Sequence, residues 1–159
     1  MADPVTATTL TYGYDDADRL TGIDYGSGRA KRTYAYDPMD RLTGDTLKTS
    51  AGAAIGSITY GYDRDDNLTA KTTAGTAGAG VNTYDHSNRL TSWTAPGGAV
   101  TDYAWDDSGN RVRAGSKTYA YDERNRLTSG DGATYAYTAR GTTASETKGG
   151  VSKTLAFDA

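Results

Sequence analysis

The sequence predicts an all-β protein, a tandem array of antiparallel β-hairpins forming a curved or spiral sheet of about fourteen strands. Three observations predict it. An aromatic-x-aromatic-Asp segment recurs seven times in 159 residues. Gly, Asn or Asp stands three places after the position of each Asp. Gly- and Ser-rich connectors separate the copies, as return turns between hairpins do. Hydrophobic residues make up only 36% of the chain, yet Tyr occurs 13 times and in register. That composition fits a thin aromatic layer rather than a thick core.

The first aromatic position of each copy holds Tyr12, Tyr34, Tyr60, Asn82, Tyr103, Tyr119 and Tyr135. The second holds Tyr14, Tyr36, Tyr62, Tyr84, Trp105, Tyr121 and Tyr137. In the second copy, Tyr34 and Tyr36 alternate with Thr33 and Ala35, the pattern of a strand with one aromatic face. Asp37-Pro38-Met39-Asp40 then reads as a type I turn. Asp at its first position can accept a backbone hydrogen bond, and Pro presets the next dihedral.

The fourth turn residue is Asp18, Asp40, Asp66, Asn88, Gly109, Asn125 or Gly141. All three residue types tolerate a left-handed backbone, which predicts a hairpin loop with a bulge. The predicted pairing sets Tyr36 opposite Leu42 and Tyr34 opposite Gly44. Tyr34, Tyr36, Leu42 and Gly44 then share one face, and Ala35, Asp37, Arg41 and Thr43 the other. The pairs Asp15/Arg19, Asp37/Arg41, Asp85/Arg89 and Asp122/Arg126 are expected on the wetter face, favouring register and solubility. Small residues at Gly22, Gly44, Ala70, Ser92, Ser129 and Ser145 are expected to let a ring fold over a cross-strand partner.

Connectors carry the length variation. Ala114-Gly115-Ser116 and Ser129-Gly130-Asp131-Gly132 read as return turns, and Ser50-Ala51-Gly52 as the tip of a longer second hairpin. The stretch from Thr73 to Gly80 reads as the weakest and most mobile loop. Residues 1–9 read as an N-terminal tail and residues 10–159 as the array. Leu155-Ala156-Phe157-Asp158-Ala159 looks like the opening of an eighth copy, as in a piece of a longer chain. Copy five has Arg111 and copy seven Thr143 where Leu is expected, a drift that speaks for a natural sequence.

The segments Tyr34-Ala35-Tyr36-Asp37-Pro38-Met39-Asp40-Arg41-Leu42 and Tyr119-Ala120-Tyr121-Asp122-Glu123-Arg124-Asn125-Arg126-Leu127 carry the clearest motif. It resembles the YD-repeat, or RHS-repeat, family across about residues 10 to 159. The resemblance implies hairpins that coil into a spiral β-sheet. In bacterial polymorphic toxins that sheet is a hollow shell around a toxin or other cargo; in teneurins it is part of a cell-surface structure. Partners implied are neighbouring repeats, copies of the chain itself and an encapsulated cargo domain, with an extracellular or cell-surface location. The shell-forming members carry far more repeats than this chain. The Asp-Pro-x-Gly autoproteolysis segment of the bacterial core has no counterpart, because neither Asp3-Pro4 nor Asp37-Pro38 is followed by x-Gly.

Other chemistries find little support. The chain has no cysteine, so disulfides and thiolate metal sites are excluded. A net charge of -3 gives no basic stripe for nucleic acid. No apolar run approaches the ~20 residues of a membrane span, and the first residues lack a signal-peptide pattern. The one histidine, His86, reads as an exposed turn residue. Asp63-Arg64-Asp65-Asp66-Asn67 opens like a calcium loop, but Leu68 and Ala74 stand where the glycine and glutamate belong. No enzyme activity, catalytic residue, metal or cofactor is expected, and the function reads as structural. The alternative is a carbohydrate-binding or adhesion module that stacks sugars on the Tyr-rich face.

Overall fold

The computed structural model describes residues 2–3, 8–76 and 78–157. Most of the 1–9 tail, Ala77 of the expected mobile loop, and Asp158 and Ala159 of the expected eighth copy lie outside them. The elements are β1 (Ala2–Asp3), β2 (Thr8–Thr9), β3 (Thr11–Tyr14), β4 (Leu20–Asp24), β5 (Lys31–Tyr36), β6 (Leu42–Lys48), β7 (Ala54–Tyr62), β8 (Leu68–Thr73) and β9 (Ala79–Tyr84). They continue with β10 (Leu90–Thr94), β11 (Val100–Trp105), β12 (Arg111–Ala114), β13 (Lys117–Tyr121), β14 (Leu127–Gly130), β15 (Ala133–Tyr137), β16 (Thr143–Lys148) and β17 (Val151–Thr154). Strands β3 to β17 lie in one sheet in chain order, without a crossover, and β1 pairs only with β2. The large sheet thus has fifteen strands among the described residues rather than about fourteen. The chain divides into two compact units, Met1–Arg89 with Trp93–Ala99, and Leu90–Ser92 with Val100–Ala159.

The repeated loop is uniform. In the second copy Asp37 donates its N–H to the Arg41 carbonyl and accepts that of Asp40, at 3.0 and 3.1 Å. The left-handed residue is Asp40, at φ 63. Asp18, Asp66, Asn88, Gly109, Asn125 and Gly141 have the same handedness, with φ between 59 and 93. Thr49 to Ala53 and Ala95 to Ala99 close with the same pair of bonds, so the geometry also serves two connectors. Shorter returns use paired positive-φ residues, Asp131-Gly132 and Gly149-Gly150, whose twist matches that of the strands.

The register departs from the simple ladder. Tyr36 pairs with Leu42, but Ala35 pairs with Gly44 and Tyr34 with Asp45. Leu42 and Thr43 together oppose Tyr36, a bulge that shifts every later pair by one residue. The same shift follows Tyr14, Tyr62, Trp105, Tyr121 and Tyr137. Gly44 therefore shares a position with Ala35 and not with the rings, which corrects the expected face assignment. The recurring small residues meet other small residues: Gly13 with Gly22, Gly61 with Ala70, and Ala120 with Ser129. These pairs let the strand backbones carry the bulge without side-chain crowding.

A ring does fold over a small partner, one residue from the expected place. Tyr119 pairs with Gly130, and a Cβ on Gly130 would lie 2.4 Å from Tyr119 Cδ1. Little of the molecule is dry. Among the described residues, Ala133 is the only buried hydrophobic side chain and Asp45 the only buried charged one. Cohesion comes from cross-strand pairs and from contacts between neighbouring hairpins.

Gly130→Ala is expected to destabilise by about 2 kcal/mol, as overpacking does. The penalty should largely vanish in a Tyr119→Ala background. Gly56→Ala, where nothing lies within 4 Å of the added Cβ, serves as the neutral control. Urea unfolding of the four variants checks this.

Candidate functional site: the hairpin seams and the aromatic face

Each hairpin meets the next along a seam whose ladder stops short. Between β6 and β7 the pairing ends at Gly44–Thr59, two residues before Leu42. The Leu42 carbonyl is then taken by the Tyr62 hydroxyl, which donates to it at 3.0 Å. In the first unit Tyr36 does the same to Leu20 and Tyr84 to Leu68, both at 2.9 Å. In the second, Trp105 Nε1 donates to Leu90, the Tyr121 hydroxyl to Arg111 and the Tyr137 hydroxyl to Leu127. The second aromatic is Tyr or Trp, never Phe, because the ring must both pack and carry a donor. Asn82, in the first aromatic position of copy four, adds a second donor to the Leu68 carbonyl at 2.8 Å.

A second contact lies at the loop end of the seam. Asp37 Oδ1 accepts the N–H groups of Met39 and Arg41, and Oδ2 accepts Arg41 Nε at 2.8 Å. Arg41 NH1 reaches the next loop, donating to the Asp63 carbonyl at 2.8 Å and to Asp66 Oδ1 at 2.7 Å. Its guanidinium lies 4.8 Å above the Tyr62 ring. Arg19 makes the same set with Asp15, Asp40 and the Tyr36 ring. Asp37 and Arg41 side chains are each only 17% exposed. These pairs were expected on the wetter face and instead fill the seam. The guanidinium fork explains this: Nε binds its own loop while NH1 binds the neighbour's.

Where Asn replaces Arg, its amide keeps both bonds. Asn67 Nδ2 donates to Asp63 Oδ2 and to Asn88 Oδ1, at 3.1 and 2.9 Å. Asn110 bonds Asp106 and Asn125 likewise, both at 2.9 Å. At four seams the clamp residue and the left-handed residue of the next loop are matched, Arg with Asp and Asn with Asn, while Arg89 and Arg126 precede the loops of Gly109 and Gly141. Arg126 faces Gly141, which has no side chain, and its NH1 is buried without a partner among the described residues. In copy seven, Thr138 and Thr142 hydroxyls replace the Asp–Arg pair at 2.8 Å.

Loop carboxylates are stabilised as anions. The Arg126 guanidinium, with the Arg126 and Arg124 N–H groups, holds Asp122 down to about 2. The Arg19 backbone N–H lowers Asp15, and the Arg89 backbone N–H lowers Asp85. Burial opposes ionisation of Asp37, but the Arg41 side chain and nearby N–H groups outweigh it.

The remaining predicted rings fall in two environments. Tyr34, Tyr60, Tyr103, Tyr119 and Tyr135 are half-buried along the sheet, while Tyr12 and Tyr14 on edge strand β3 are 43% and 61% exposed. Arg111, in a Leu position, lies 5.9 Å from the Tyr103 ring and 5.2 Å from that of Tyr119. Beside Tyr34, Arg32 forms a two-bond ion pair with Asp45, Nε to Oδ1 at 2.7 Å and NH2 to Oδ2. Arg32 holds the Asp45 carboxyl below the usual range. This pair and Tyr25, Leu47 and Ile58 line a cleft of about 520 Å³ in the first unit. The cleft escaped sequence reasoning, because Asp45 lies outside the repeated motif. The bulge brings it opposite Tyr34.

His86 is exposed in its turn. Among the described residues no group of three or more His, Asp or Glu side chains could hold a metal ion. No helix among them is long and apolar enough to cross a membrane.

The sequence profile of the family RHS Repeat matches residues 14–54 and 84–116. No curated protein matches the chain in sequence. Solved structures resemble it in fold. The crystal structure of TcdB2-TccC3 aligns over 87% of this chain with a TM-score of 0.63 and 15% identity. The Photorhabdus luminescens Tc holotoxin pore, carrying the TccC3 mutation D651A, aligns over 87% with a TM-score of 0.59 and 16% identity. TcdB2-TccC3 without its hypervariable C-terminal region aligns over 86% with a TM-score of 0.60 and 16% identity. This chain spans 10% of the length of each of those chains.

Two outcomes follow. Tyr62→Phe is expected to cost about 1 kcal/mol, a fall of ~3 °C in melting temperature. Tyr12→Phe should be neutral. Because the loop carboxylates have lowered pKa values, their stabilisation is complete above the unfolded value and is lost as protons bind the folded state. Melting temperature should therefore fall as pH drops from the ordinary 3.8 towards about 2, the value for Asp122. Asp122→Asn should flatten that fall, as circular dichroism melts at stepped pH would show.

Proposed function

We propose that the chain is a run of RHS repeats whose work is structural, a stretch of repeat wall that surrounds or displays a cargo domain. One observation carries this reading. At every seam described above, the second-aromatic ring of one hairpin donates a hydrogen bond to a main-chain carbonyl of its neighbour. Tyr, Asp and Arg side chains of the repeat join hairpin to hairpin. The fold likeness to TcdB2-TccC3 supports the same reading, and the cargo and an extracellular or cell-surface location are part of the proposal.

The sheet ends on β3 and β17, whose outer edges have no strand partner among the described residues. Unpaired edges recruit further strands, so the chain is expected to associate through them. A carbohydrate-binding role has one observation in its favour. The cleft beside Tyr34 combines the Tyr25 ring with a planar ion pair, the materials of a sugar site.

Size-exclusion chromatography with light scattering, run from dilute to concentrated protein, tests the structural reading. A mass that rises with concentration is expected. A monomer at every concentration would sink the edge-association part. Glycan binding that is lost in Tyr25→Ala would move the assignment to the sugar site instead.

A further inference from the structure

The cleft of about 520 Å³ in the first unit is built on two cross-strand rows. In one row Arg32 pairs with Leu47, and Leu47 with Gly56. In the next, Asp45 pairs with Ile58, and Ile58 with Thr73. Directly paired residues share a face, and all six line the same hollow together with Tyr25 of the β4–β5 connector. Gly56 is the residue that opens it. A Cβ there would meet nothing within 4 Å. Its φ is not positive, so the backbone conformation does not require glycine. A glycine inside a strand often marks a place where a ligand approaches the main chain.

Arg32 and Asp45 are the only charged groups in the lining, and they neutralise each other. They are unequally spent. The Asp45 side chain is 10% exposed, and both of its oxygens accept from Arg32. The Arg32 side chain is 40% exposed. A guanidinium carries five N–H groups. Two bonds go to Asp45, and the Tyr25 hydroxyl interacts with the same group, which leaves donors over. The cleft therefore offers apolar walls, N–H donors and no net charge, while its one carboxylate is already engaged.

We propose that this cleft binds an uncharged, mainly apolar small molecule that carries one carbonyl-type acceptor. Its apolar body lies over Gly56 beside Leu47 and Ile58, and its carbonyl oxygen accepts from Arg32. The volume falls in the range of small-molecule sites, which bury an apolar body and fix it with a few polar groups. A carboxylate ligand would bring a second negative charge beside Asp45 with no further cation in the lining, and a charge taken out of water without a partner is costly. A sugar would bring several hydroxyl donors to a site whose carboxylate is occupied. The inference goes beyond the structural reading of the array and does not depend on it.

Three probes that differ only at the polar end test this: para-fluoroacetophenone, para-fluorotoluene and para-fluorobenzoate. Each is titrated against the full chain at one fixed protein concentration and followed by fluorine NMR line broadening. The ketone is expected to bind about tenfold more tightly than the toluene, the worth of one hydrogen bond from a charged donor. The benzoate should bind more weakly than the ketone. Gly56→Leu fills the cleft and should abolish ketone binding without lowering the melting temperature. Arg32→Met combined with Asp45→Leu removes the ion pair without stranding a charge, and that protein should bind ketone and toluene alike. Equal binding of ketone and toluene by the unaltered chain would overturn the inference. So would no binding of any probe, tightest binding of the benzoate, or ketone binding that survives Gly56→Leu. Displacement of the ketone by methyl glucoside would overturn it in favour of the sugar site.

Discussion

The carbonyl at the Leu position of each hairpin is the group on which the array depends. It lies beyond the last interstrand pair of its seam, where a strand would ordinarily leave it to water. A buried or half-buried carbonyl without a donor is costly. The neighbouring Tyr hydroxyl or Trp indole supplies that donor at each described seam, so one bond both satisfies the carbonyl and fixes the distance between hairpins. The bulge, the aromatic identity and the stacked guanidinium all follow from serving this contact. With almost no dry interior, such seams stand in for a core.

The hairpins and their order were legible in the sequence, because loop chemistry is local. Asp, two variable residues and a left-handed residue determine a turn with no reference to the rest of the chain. What lay beyond the bulge was not. A simple ladder puts Gly44 opposite Tyr34, whereas the bulge inserts one residue and brings Asp45 there. The Asp–Arg pairs were visible as pairs, but their direction was not. Only the neighbouring loop reveals that Arg41 NH1 has a target in Asp66, and that target lies 25 residues away. The cleft around Arg32 and Asp45 was hidden for the same reason, since neither residue belongs to the repeat.

Departures from the repeat show which parts are replaceable. Arg111 substitutes for Leu, stays against two rings and still offers its backbone carbonyl to Tyr121. The side chain at this position is therefore secondary to the main-chain group. Thr138 and Thr142 replace an ion pair with a hydroxyl pair and keep the loop. Gly141 keeps the left-handed backbone but abandons the acceptor, leaving Arg126 NH1 unpaired. Backbone geometry is retained at each of these sites while side-chain complementarity relaxes.

Antiparallel hairpins in chain order put all Asp loops at one end of the strands and all connectors at the other. The clamps occupy the first end alone. Connectors range from the two-residue return Gly115-Ser116 to the longer β6–β7 hairpin, and the Tyr hydroxyl bond across the seam is present at both. One margin of the sheet is thus conserved in form by chemistry, and the opposite margin is free to lengthen. Connector length can vary there while the loop-end bonds stay in place. A repeat of this kind can diversify what it displays while its joints stay the same.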